Sequence, residues 1–299
     1  MTALPTHVTS TLGVQVAVHD LAPSLGDSHP LLVSHATGFH GRCYLPMAAE
    51  LARTAPQPLH AIAFDYRGHG DTARPDGPVD WQRYGDDAEA MAAWLAERHG
   101  GPIDAFGHSM GGACLLIAAH RRPDLFRRLV VFEPIVFPPE GIGPAGRADA
   151  DAGDSPLAAG ARRRRAVFAS HRAAIDNFAA KPPLSIFTEE SLEAYVVHGF
   201  GPDPEGVRLK CSPDTEAETF AMGARHDTWD HLPSIATETL VVAGIVQPMQ
   251  PSSISQAVAD RLPHSRYLQL DHLTHFGPMS HPAETARIVV DFVTGGRVA

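Results

Sequence analysis

The sequence predicts an α/β protein: a mostly parallel sheet with helices on both faces and a helical segment inserted after its sixth strand. Three observations predict it. Short apolar runs of strand length alternate with helical patterns between residues 31 and 132, and the alternation returns at Leu240. From residue 138 to residue 232 it stops, and no strand-like run interrupts the helical patterns there. Finally, Gly107-His108-Ser109-Met110-Gly111 sets one serine between glycines, after an apolar run and before a helix-like one.

Taken in order, residues 12–18 alternate as a half-exposed edge strand does. The runs 31–34, 61–64 and 129–132 are continuously apolar, as strands covered on both faces require, and 240–243 and 267–270 complete the set. Helical patterns occupy 44–53, 86–98, where Ala88, Met91, Ala92 and Leu95 share a side, and 112–119 after the serine. The middle block opens with a Pro/Gly/Ala/Asp-rich stretch, 138–156, and continues as helices over 157–180 and 188–197, divided from the stretch after Cys211 by the Pro/Gly patch 199–206. A last helix covers 283–293. This divides the chain into a core, 1–137 and 233–299, and an insertion, 138–232.

Composition narrows the function classes. In 299 residues, 44% are hydrophobic and 19% charged, enough for one large soluble domain with a sizeable core. The net charge of −10, with signs interspersed, argues against a nucleic-acid partner. The basic run Arg162-Arg163-Arg164-Arg165 reads as the solvated face of a helix. Three widely spaced cysteines, Cys43, Cys114 and Cys211, indicate neither a disulfide framework nor a zinc site and fit a reducing cytoplasm. Residues 1–7 lack the basic and apolar regions of a secretory signal, and no apolar run reaches the ~18 residues of a membrane span. Oligomeric state stays open, a homodimer included.

The chemistry centres on Ser109. A serine on a tight strand-to-helix turn needs small neighbours, because the turn brings backbones too close for side chains, and its hydroxyl is left exposed. It is a weak nucleophile until a base takes its proton and a third group orients that base. His275, in Asp271-His272-Leu273-Thr274-His275-Phe276-Gly277-Pro278, follows the last strand-like run and precedes a tight Phe-Gly-Pro turn. His272 and His281 are its nearest competitors. The N–H of Met110, the residue after the serine, is one donor for a developing oxyanion.

Four segments, His35-Ala36-Thr37-Gly38-Phe39-His40-Gly41, Asp65-Tyr66-Arg67-Gly68-His69-Gly70-Asp71, Gly107-His108-Ser109-Met110-Gly111-Gly112 and His275-Phe276-Gly277-Pro278, resemble the α/β-hydrolase superfamily in order and spacing. The resemblance runs nearly the whole length. It implies a serine esterase-like enzyme with a helical lid, Thr37 N–H as the second oxyanion donor, and no cofactor or metal. His35, His40 and His69 are then structural hydrogen-bonders rather than ligands. One segment departs from the pattern: most relatives carry the triad acid in Gly-x-x-Asp after the seventh strand, where this chain has Gly244-Ile245-Val246-Gln247. Some members place the acid after the sixth strand, and Glu133 stands there, an acid costly to bury without a partner. Asp271 and Asp227 are the other candidates. The implied reaction is hydrolysis of a small apolar ester, lactone or carbonate. A carbon-carbon bond hydrolase acting on a diketone and a ligand-binding relative with little turnover are the alternatives. Phe168, Phe178, Phe187, Tyr195, Phe200, Phe220 and Trp229 are candidates to line the pocket under the lid.

Overall fold

A computed structural model describes residues 6–22, 29–57, 59–139 and 156–296. Most of the Pro/Gly-rich stretch 138–156 and of residues 1–7 lies outside them. In chain order the core opens with β1 (His7–Thr9), β2 (Gln15–Ala22), β3 (His29–Ser34), α1 (Leu45–Thr54), β4 (Leu59–Phe64) and α2 (Trp81–His99). β5 (Ile103–His108), α3 (Met110–Arg121) and β6 (Phe126–Phe132) follow. The segment after β6 holds α4 (Pro156–Arg162), β7 (Val167–Phe168), α5 (His171–Ala179), α6 (Glu189–Gly199), β8 (Phe200–Asp203), β9 (Gly206–Leu209), α7 (Pro213–Met222) and α8 (Thr228–His231). The chain then returns through β10 (Glu238–Ala243), α9 (Ser252–Arg261), β11 (Ser265–Gln269), α10 (Gly277–Ser280) and α11 (Pro282–Val293).

Among the described residues the core strands form one sheet in the order β1-β2-β4-β3-β5-β6-β10-β11, parallel from β4 to β11 with β1 and β2 antiparallel at one side. Successive side chains of a strand face opposite ways, so the apolar runs feed two cores. Leu31, Val33, Ala61, Ala63, Phe106, Val130 and Phe132 pack toward α1 and α11. Leu32, Ile62, Phe64, Ala105, Leu129 and Val131 pack toward α2, α3 and α9. Register then aligns the strand ends: Ser34 pairs with Gly107, His108 with Phe132, and Phe132 with Val242. Residues 35–38, 109, 133 and 244 therefore leave the sheet side by side.

Three expectations need correction. Residues 12–18 are not an edge strand: Gly13, with φ 74°, turns the chain after an exposed Leu12, and β1 takes the edge beside β2. The inserted segment is not purely helical, because β7, β9 and β8 form a three-stranded antiparallel sheet. Its hairpin lies in the Pro/Gly patch 199–206, where Pro202 and the two-to-four-residue strands leave no readable alternation. The arginine run is not a solvated helix face either. α4 ends at Arg162, Arg165 stacks over Phe168 at 4.4 Å, and Arg164 turns inward to bond Glu216 and Tyr195.

A Cβ at Gly111 would lie 2.2 Å from the Ser34 carbonyl oxygen, which belongs to the neighbouring strand and cannot retreat without breaking sheet bonds. Gly111→Ala should therefore cost about 1–3 kcal/mol by overpacking against backbone. Equilibrium denaturation against Gly160→Ala, whose Cβ meets open space, is the check. Equal stabilities of the two variants would contradict it.

Candidate active site

Ser109 joins β5 to α3 with φ 58° and ψ −117°, a conformation rare for a residue with a side chain. Backbone bonds hold it there: its N–H donates to Phe132 O at 2.9 Å, and its carbonyl accepts from Ala113 N–H at 3.2 Å and Ile135 N–H at 3.3 Å. The glycines let neighbouring backbones close in, since a Cβ on Gly107 would sit 2.7 Å from Gly112. Ser34 Oγ donates to Gly111 O at 3.1 Å and takes the Tyr66 hydroxyl proton at 2.6 Å, clamping β3 to the turn.

His275 lies in the loop between β11 and α10. That loop is tied to the end of β10 by Ile245 N–H to Leu273 O at 2.8 Å and closed by Gly277 N–H to Thr274 O at 2.9 Å. Its Nε2 accepts the Ser109 hydroxyl at 3.1 Å while its Nδ1–H donates to Glu133 Oε2 at 2.7 Å. Glu133 is 1% exposed, and its Oε1 accepts Gly244 N–H at 2.9 Å. Its own N–H donates to Val242 O at 2.8 Å. Both carboxylate oxygens thus have donors, which is what a buried acid requires. The other candidates lie elsewhere: Asp271 accepts from Gln269, Asp227 accepts from Gln82 and faces His231, and His272 pairs with Glu284. His281 meets Ser280.

Thr37 sits in the turn after β3, closed by Phe39 N–H to Ala36 O at 3.1 Å, a bond that does not use Thr37 N–H. Met110 opens α3, where a first-turn N–H has no helical acceptor. Around them the rings come from the core as much as from the insertion. Phe39 stacks on Phe276 at 6.3 Å, Phe187 packs on both, and Phe276 lies 5.5 Å from His275. Phe39 and Phe276 were not among the sequence candidates, though each adjoins a motif residue. Tyr195 reaches Phe39, whereas Phe168, Phe178 and Phe200 pack on one another. Phe220 joins a small cluster with α4, and Trp229 stacks under Arg261.

The histidines near this site are committed to backbone. His35 Nδ1–H donates to Ala36 O and its Nε2 accepts Tyr66 N–H; His40 Nε2–H reaches Tyr195 O in the insertion; His69 Nδ1–H donates to Arg67 O. Among the described residues one group has metal-ligand spacing, His19, Asp65 and Asp71. Its two carboxylates are already paired with protein donors. Asp65 accepts from His19, Gly41 N–H and Asp71 N–H, and Asp71 accepts from Arg42 and Lys210.

A family model described as the alpha/beta hydrolase family matches residues 31–288. The chain belongs to that family. This alpha/beta hydrolase is 26% identical over 285 residues to a 2-hydroxymuconate semialdehyde hydrolase of Pseudomonas putida, covering 94% of this chain and 91% of the relative. In structure it is similar to an E-2-(acetamidomethylene)succinate hydrolase, with TM-score 0.75 and 20% identity over 96% of this chain and 98% of the other. It is also similar to a thermophilic esterase from Thermogutta terrifontis, with TM-score 0.69 and 20% identity over 98% and 99% of the two chains. Hydrolase activity is supported by this kinship, and no described helix is long and apolar enough to cross a membrane.

Burial pushes His35 down to about 3 and His40 and His69 down to about 4. An unfolded chain binds protons at these sites below about pH 6.5, which the folded protein refuses until those lower values. Their neutral burial therefore stabilises fully above that pH and is lost as pH falls toward 4. Calorimetry should show Tm dropping steadily from pH 7 to 4, less steeply in His40→Gln. A flat profile would contradict the assignment.

Proposed function

We propose that this protein is a cofactor-independent serine hydrolase that cleaves a carboxylic ester, with lactones and carbonates as variants of the same chemistry. The observation that carries the reading is the continuous hydrogen-bond chain from Glu133 through His275 to Ser109. Ser109 Oγ attacks the carbonyl carbon as His275 Nε2 takes its proton, and Glu133 stabilises the resulting imidazolium. The tetrahedral oxyanion accepts from Met110 N–H and Thr37 N–H, each donor worth about 3–4 kcal/mol by analogy. His275 returns the proton to the leaving alkoxide, then draws one from water to release the acid.

The environment supports an apolar substrate. Phe39, Phe187 and Phe276 gather beside His275, and the segment 156–232 acts as a cap, reaching the core loops through Phe187. Small-molecule turnover, without a nucleic-acid or membrane partner, accords with this site. All three cysteines are buried free thiols, which accords with a reducing cytoplasm.

A carbon-carbon bond hydrolase is the second reading, favoured by the Pseudomonas putida relative. The apolar rings of Phe39, Phe187 and Phe276 beside His275 suit either substrate, so turnover separates the two readings. Turnover of p-nitrophenyl esters but not of a ring-cleavage diketone selects the first; the reverse selects the second.

Ser109→Ala should abolish ester turnover with Tm unchanged within a few degrees. Glu133→Gln should lower kcat about 10³–10⁴-fold by analogy with triad-acid losses, while Gln247→Glu changes it little. Steady-state kinetics decide, and full activity in Glu133→Gln would remove the acid from the mechanism.

A further inference from the structure

His108 lies between Gly107 and the proposed nucleophile, yet its ring nitrogens bond neither the Ser109 hydroxyl nor the His275 ring. It is fully buried, and neither ring nitrogen is free. Nε2–H donates to the main-chain carbonyl of His275 at 2.8 Å, so Nδ1 is an acceptor and takes the Tyr44 hydroxyl proton at 2.9 Å. The same hydroxyl oxygen accepts Ala36 N–H at 3.3 Å. One unbroken chain therefore runs from Ala36, beside Thr37, through Tyr44 and His108 to the backbone of His275.

Nothing in this chain can serve as the base for Ser109, because both imidazole nitrogens are spent. Its value is mechanical and electrostatic. Burial, reinforced by the nearby His275, holds His108 well below the usual imidazole range. The rings lie 5.0 Å apart, and a second cation at that distance would oppose the imidazolium that catalysis forms on His275. A neutral ring adds no such repulsion and still supplies one donor and one acceptor at fixed separation.

We propose that His108 is a positioning residue: a neutral strut that holds the His275 backbone at a set distance from the 35–38 loop. General base and oxyanion donors then keep their alignment as charge develops. The inference rests on the reading of Ser109 as nucleophile. Sub-ångström to ångström misplacement of such groups costs on the order of 10²-fold in rate, so the effect belongs in kcat rather than KM.

The test compares His108→Leu, Tyr44→Phe and the conservative His108→Gln with wild type, in steady-state ester hydrolysis and in the rate of Ser109 labelling by a serine-directed phosphonate. A strut predicts kcat lower by about 10–100-fold in His108→Leu and about tenfold in Tyr44→Phe, with KM within about twofold. Labelling should slow in step, and glutamine, which keeps an N–H donor on a side chain of similar reach, should recover most of the loss. If His108→Leu does not fold, Tyr44→Phe decides, since it removes only one hydroxyl. Folded variants with a lowered Tm but wild-type kcat and labelling rate would overturn the strut and leave the hydrolase reading intact. A wild-type protein that phosphonates do not label at Ser109 would overturn both.

Discussion

The site depends on one backbone conformation, that of Ser109. Holding a serine at φ 58° costs about 1–3 kcal/mol, and the surrounding structure must over-determine it. It does so from two strands. β6 supplies the carbonyl that accepts Ser109 N–H, and β3 supplies the Ser34 backbone against which Gly111 packs without a side chain. Relaxing the turn would withdraw the hydroxyl from His275, because helix α3 begins directly after it. The same tightness leaves Met110 N–H at the start of that helix without an intrahelical acceptor.

Register makes the acid's position as determinate as the serine's. His108 pairs with Phe132, so the next residues, Ser109 and Glu133, emerge together from adjacent strands. Glu133 also takes a positive φ, 44°, and its carboxylate is buried with both oxygens satisfied by Gly244 N–H and His275. A charge so enclosed would be untenable alone, and a neutral glutamine at 247 is tolerated because the partner for the imidazole comes from β6 instead. The loop after β10 leaves Ile245, Val246 and Met249 exposed.

The inserted segment is fastened over the sheet by polar contacts rather than by aromatic packing alone. Tyr195 accepts from His40 through its carbonyl and from Arg164 through its hydroxyl, and Glu216 completes the group against Gly38. On the far side, Trp81 Nε1–H donates to Thr219 O, Tyr84 meets Thr219 Oγ1, and Arg74 reaches Thr215 and Glu218. These bonds set the insertion's register on the core. Phe168, Phe178 and Phe200 then pack on one another, while Phe187 alone of its described phenylalanines joins the core rings Phe39 and Phe276 near His275.

Local sequence determined the covered strands of the main sheet and the turn at Ser109, because apolar periodicity and glycine punctuation act over a few residues, while the edge strand β1 and the short strands β7, β8 and β9 escaped it. It also singled out Ser109 and His275, which lie in short motifs at strand ends and meet at 3.1 Å in the fold. What it left open was every relation between distant segments. Glu133, Asp271 and Asp227 are equally acidic in one dimension, and only the pairing of β6 with β10, whose end ties down the His275 loop, brings the first to the imidazole. Arg164 looks like its three neighbours until the fold turns it toward Glu216, and His108 looks like a spacer until Tyr44 and the His275 carbonyl close on it. Those outcomes required the tertiary structure because the free energy of a buried polar atom is settled by the partner it meets, not by its sequence neighbours.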